Sequence, residues 1–215
     1  MPISDNSHRI KLDRWRVINE RLQAIKRRNI MHSEEIWRVL GWAVELANAT
    51  KPEVKPNRIL CVDQSYSRAG FAVVSRDKIH RAESMDLTKL NNPTSKRNAV
   101  RELTRGLIDK WNPRLLLVER VRIFAGSYIT EGTALPLAAM TSVIVDVGWN
   151  YYRLPTYAVN TQSWKKVILG DGRAKKAEAV AFILETFDMK INHDAADAAC
   201  MGLAVYNGCK VKRQQ

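Results

Sequence analysis

The sequence predicts an α/β domain with a mixed sheet, preceded by a helical hairpin, and three observations predict it. Two short apolar runs, Ile59–Asp63 and Leu115–Glu119, have the length and composition of buried strands. Strand-like and helix-like segments alternate after residue 58, the mark of an α/β chain. The stretch 51–57, with two prolines and two lysines, reads as a linker that separates this domain (58–215) from an N-terminal extension (1–57).

In the extension, Trp15, Ile18, Leu22 and Ile25 recur at steps of three and four, the period of one helix face. Ser33 can cap a second helix carrying Ile36, Trp37, Leu40 and Val44. After Asp63, segments 70–75 and 78–85 fit antiparallel neighbours of the first strand. Residues 95–111 form a helix with Val100, Leu103, Leu107, Ile108 and Trp111 on one face, stopped by Asn112-Pro113. Residues 134–147 are apolar nearly all round, so that helix is buried or at an interface. A short strand at 157–160 and helices over 161–169, 174–186 and 194–206 complete the order.

Composition narrows the functional classes. No apolar run approaches the roughly 20 residues of a membrane helix, and the first residues lack the apolar centre of a secretory signal. A cytoplasmic protein without a membrane partner is expected. Cys61, Cys200 and Cys209 are odd in number and unpaired in spacing, so neither a disulfide frame nor a zinc site is expected. Cys61 and Cys200 read as small core residues. The net charge of +13 favours a polyanion, and nucleic acid fits it best.

Four acids carry the chemistry. Asp63 and Glu119 each close an apolar strand, where α/β sheets form their sites, and a lone buried carboxylate there is costly. Asp194 and Asp197 are three apart, hence on one helix face, and two alanines between them permit close approach. A local alternative makes Asp194 the helix cap and Asp197 a first-turn acid favoured by the dipole. If the four converge, all-oxygen ligation suits Mg2+, with Mn2+ able to substitute. Two such ions could hold a scissile phosphate and activate water. Gly170 and Gly172 allow a tight turn, and Arg173, Lys175 and Lys176 at the next helix start offer a phosphate seat. The spacing is not that of a Walker loop.

The segment from Lys165-Lys166 through Gly170, Gly172, Arg173, Ala174, Lys175 and Lys176 resembles the lysine- and glycine-bearing segment of RuvC-type Holliday junction resolvases. Residues 134–148 resemble that family's central helix, and Asp194–Asp197 its last acidic pair; the likeness covers roughly 58–207. The resemblance implies an RNase H-like five-stranded sheet flanked by helices. It implies Asp63, Glu119, Asp194 and Asp197 as metal-binding carboxylates, and Lys165 and Lys176 as the lysines that contact phosphate, Lys176 serving catalysis as well. It also implies a homodimer, built on the central helix, that cuts a four-way DNA junction at two opposed strands and leaves 5′-phosphate and 3′-hydroxyl ends.

The family carries a base-stacking aromatic after the second acid. Phe124 is the candidate and Tyr128 the next, with a core aromatic as the alternative. Arg120 and Arg122 are expected to meet phosphates, or else to be solvated. His193 reads as a helix-start histidine, with metal ligation or water activation as the alternative. The 57 residues before the first strand depart from the family's pattern. They suit a stand-alone resolvase, for example a phage-type one, better than one serving a branch-migration motor. Two other functions stay open: an RNase H-like nuclease for RNA or simple duplexes, and a non-catalytic junction binder, against which the full set of acids argues.

Overall fold

Five consecutive buried residues, Ile59–Asp63, form strand β1 at the middle of the sheet. The computed structural model of the chain describes residues 57–120 and 131–209, with 131–135 as backbone alone. The expected N-terminal hairpin, Arg122, Phe124 and Tyr128 lie outside the described residues. After β1 come β2 (Arg68–Ser75), β3 (Lys78–Asp86), α1 (Pro93–Trp111), β4 (Leu115–Glu119), α2 (Glu131–Asp146), β5 (Thr156–Val159), α3 (Thr161–Leu169), α4 (Lys176–Phe187) and α5 (His193–Tyr206). The spatial order is β3-β2-β1-β4-β5.

The sheet is mixed because its connections differ in length. A short loop returns the chain from β1 into antiparallel β2, and a two-residue turn leads into antiparallel β3. The helix α1 carries it across to β4, parallel to β1, and β5 is parallel to β4. Side chains alternate across the sheet. Ile59, Cys61, Leu115, Leu117, Tyr157 and Val159 share one core with residues of α3, α4 and α5. Leu116 is on the opposite face, against Gly148, in a π-helical turn (Val147–Tyr151) that follows α2.

The helix α5 lies directly on the sheet. Every residue from Asp194 to Ala204 is buried, and most are alanine or glycine. A methyl group on Gly202 would come within 2.5 Å of Cys61 Sγ and of Val74 Cγ2. That absent side chain sets how close helix and strands can run. Trp164, 1% exposed, anchors α3 in the same core. The three cysteines are free and buried.

Most element boundaries agree with the periodicity, and two shifts have clear causes. Helix α1 starts at Pro93, two residues early, because Asn92 Oδ1 accepts from Ser95 N–H at 2.7 Å and proline suits the first turn. Helix α4 starts at Lys176, two residues late. Ala174 N–H closes a turn on Asp171 O, and the Ala174 carbonyl accepts from Lys165 Nζ at 2.6 Å. Among the described residues no helix is long and apolar enough to cross a membrane.

Candidate active site

The parallel register that pairs Ile59 with Leu115 and Val62 with Val118 brings Asp63 and Glu119 to adjacent strand ends. Both are in phase with the residues packed beneath α5, so both face that helix. Asp63 is only 9% exposed, which excludes a solvated strand end. Asp194 and Asp197 enter from the first turns of α5 and are buried as well. The helix is capped by Asn192, whose Oδ1 accepts from Ala195 N–H at 3.0 Å. Asp194 therefore is not the cap, and its carboxylate is left for other partners.

A glycine makes the approach possible. Gly70 on β2 stands opposite Asp63. A Cβ there would lie 2.0 Å from Asp194 O and 2.3 Å from its carbonyl carbon, so no side chain fits. A glycine inside a strand can signal such a close backbone approach, and this signal was present in the sequence.

Charge crowds the centre. The Asp63 carboxyl is held well above the usual carboxylate range, first by burial, then by the charges of Glu119 and Asp197. Lys176 opposes the rise, and a hydrogen bond with Glu119 adds to it. The Asp197 carboxyl is pushed up to about 6, chiefly by burial; Lys176 and Lys165 oppose the rise, while Glu119 and Asp194 add to it. Asp194 Oδ1 lies 3.6 Å from Lys176 Nζ and 3.2 Å from His193 Nε2, and its Oδ2 is 4.0 Å from Arg68 Nε. Neither Asp194 Oδ2 nor Asp197 Oδ1 has a hydrogen-bond partner, although both are buried.

The donor chemistry fits a hard divalent cation. Buried carboxylates that repel one another, two of them with an unpartnered oxygen, are stabilised by added positive charge. The acids do not form a finished coordination shell: among the described residues no three His, Cys, Asp or Glu side chains are set to hold one ion.

The lysine-bearing segment divides in two. Lys176, at the first position of α4, stands over the acids. Lys165 is near enough to Asp197 to lower its carboxyl, yet its ammonium also ties α3 to the following loop through Ala174 O. Arg173 and Lys175 are exposed beside them, and Glu178 Oε1 caps α4 by accepting from Lys175 N–H at 2.7 Å. Arg120 follows Glu119, and its N–H donates to Val159 O at 2.8 Å.

Sequence reasoning missed Gln64, Arg68 and Thr161. Gln64 hydrogen-bonds the Glu119 main chain, and Thr161 Oγ1 donates to Glu119 Oε1 at 2.8 Å. These three bear no motif; only adjacency to an acid or to a helix start marks them.

The sheet order, with α5 packed on it, is that of the RNase H-like fold. Over 153 residues the chain is 31% identical to the crossover junction endodeoxyribonuclease RuvC of Akkermansia muciniphila, a match spanning 68% of this chain and 88% of that protein. The chain belongs to the RuvC family of crossover junction endodeoxyribonucleases. The RuvC of Thermus thermophilus superposes with a TM-score of 0.56 at 15% identity, over 69% of this chain and 93% of its own. The same enzyme in complex with a Holliday junction substrate gives 0.58 at 15% identity, over 68% and 91%. The yeast mitochondrial Holliday junction resolvase Ydc2 gives 0.52 at 17% identity, over 82% and 86%. At such identities these structures speak for the fold, the one expected from the resemblance. No protein-family model matches the chain.

Proposed function

We propose that the protein is a divalent-metal-dependent endonuclease that resolves four-way or branched DNA by paired nicks, leaving 5′-phosphate and 3′-hydroxyl ends. The observation that carries this reading is the meeting of Asp63, Glu119, Asp194 and Asp197 beside Lys176 at one end of the sheet. Membership of the RuvC family supports junction DNA as the substrate.

The four acids would hold Mg2+, or Mn2+ in its place, as two ions. When bound, such ions polarise the phosphate and make a nucleophile of water. Their charge would also offset the burial, and the mutual repulsion added to it, that hold the Asp63 and Asp197 carboxyls high. Lys176 Nζ, at the rim of the acid cluster, is the protein cation best placed to meet a phosphate oxygen. Lys165 fixes the loop between α3 and α4, so that Arg173 and Lys175 stand beside the path of the backbone. Arg120 and Arg122 serve as phosphate contacts and Phe124 as the stacking aromatic. The protein works as a homodimer joined through α2, in the cytoplasm and without a dedicated motor. Residues 1–57 act as an appended module and 58–215 as the nuclease domain.

Purified protein is incubated with Mg2+ and a labelled four-way junction, a linear duplex or a structured RNA. Paired nicks confined to the junction are the expected result. Cleavage of RNA or duplex with the junction intact overturns the proposed substrate. Tight junction binding without cutting in Mg2+ or Mn2+ overturns the enzymatic reading.

A further inference from the structure

Two uncharged side chains converge on Glu119 from different elements. Gln64 follows Asp63 and is buried at 6% exposure. Its Nε2 donates to Glu119 O, and its Oε1 accepts from Glu119 N–H at 3.0 Å. The carboxamide thus takes the place of a peptide group and extends the β1–β4 pairing past the last residue of β1. Thr161, the first residue of α3, holds the other end of Glu119: its hydroxyl donates to Oε1 at 2.8 Å. That hydroxyl is free to do so because Asn160 caps α3, its Oδ1 accepting from Gln162 N–H at 2.9 Å. The main chain and one carboxylate oxygen are therefore each held by a neutral group, alongside the hydrogen bond that Glu119 makes with the Asp63 carboxyl.

We infer that Gln64 and Thr161 are positioning residues that orient Glu119 for a divalent ion. Thr161 holds Oε1 of Glu119 and so sets the orientation of its carboxylate beside Asp63; Gln64 sets the height of the strand end from which the side chain projects. The inference rests on the metal-dependent reading above. Partners that orient metal ligands typically govern affinity by about 10–100-fold.

The test uses the full chain with Thr161→Val, Thr161→Ser and Gln64→Met, each matched to the native protein by thermal unfolding. Mn2+ binding is measured by calorimetry and by electron paramagnetic resonance without DNA. Junction cutting is then followed against Mg2+ concentration. Thr161→Val is expected to weaken Mn2+ binding by about 10–100-fold, to move the Mg2+ requirement upward in parallel and to alter the spectrum of the bound ion. Thr161→Ser, which keeps the hydroxyl, restores all three. Gln64→Met is expected to act in the same direction. If Gln64→Met does not fold, the two Thr161 variants decide alone. Native Mn2+ affinity and spectrum in Thr161→Val overturn the inference while leaving the metal-dependent reading intact. A native protein that binds no Mn2+ overturns that reading first, before any variant is compared.

Discussion

The strand half and the helix half of the acid cluster are held in different ways. Glu119, beside Asp63, is fixed by hydrogen bonds from neutral groups, Gln64 and Thr161. Asp194 and Asp197 on α5 are set among cations, Lys176 and Arg68 for one and Lys176 and Lys165 for the other, and each keeps an unpartnered oxygen. Hydrogen bonds fix direction, whereas charges at 3.6–4.0 Å stabilise without fixing it. Glu119 is preorganised, and the helix pair is completed by whatever positive charge enters.

The largest test breaks the strand half. Asp63→Asn removes a carboxylate but none of the basic surface, so cutting should fall by more than about 100-fold, beyond the usual effect of losing a supporting group. Junction affinity in a gel-shift assay should stay nearly native. Normal cutting by this variant would end the assignment of Asp63.

A smaller effect comes from the helix half. Lys176→Ala removes the cation nearest Asp194. Cutting should slow by about 10–100-fold, and the salt dependence of junction binding should lose about one unit of slope. An unchanged slope would mean that Lys176 serves only the acids.

The smallest effect is a pH dependence of stability. The folded Asp197 carboxyl ionises at about 6 against an ordinary 3.8. Between those values the folded state binds more protons than the unfolded one, so stability falls as pH rises through that window. The contribution of Asp197 is most favourable below 3.8 and levels off above about 6. Asp63, shifted the same way, adds to the fall. Thermal midpoints taken in chelator from pH 4 to 7 should trace this slope, and Mg2+ at pH 7 should reverse it. A flat profile in chelator would show that the helix-half acids are less crowded than their burial implies.

The sequence made the outline readable. Two apolar runs closing in Asp63 and Glu119 disclosed the strands that hold half the site, and the spacing of Asp194 and Asp197 disclosed the shared helix face. Periodicity reports which side of an element is buried, and this was enough for the sheet and its helices. It does not report which polar group meets which across 55 residues of chain, and so Gln64 was invisible. Thr161 read as an ordinary helix start. Asp194 was open to the capping alternative because Asp and Asn serve equally well at that position, and only the geometry showed Asn192 in the role.

Gly70 lends the site something no acid can supply, which is vacancy. Its neighbour across the interface is main chain, present whatever residue occupies position 194. Substitutions around it change the chemistry, but a single methyl at position 70 levers the first turn of α5 off the sheet. The active centre could thus be dismantled with every ligand still in place, and the tolerance of this position to substitution measures how tightly the family's architecture constrains its chemistry.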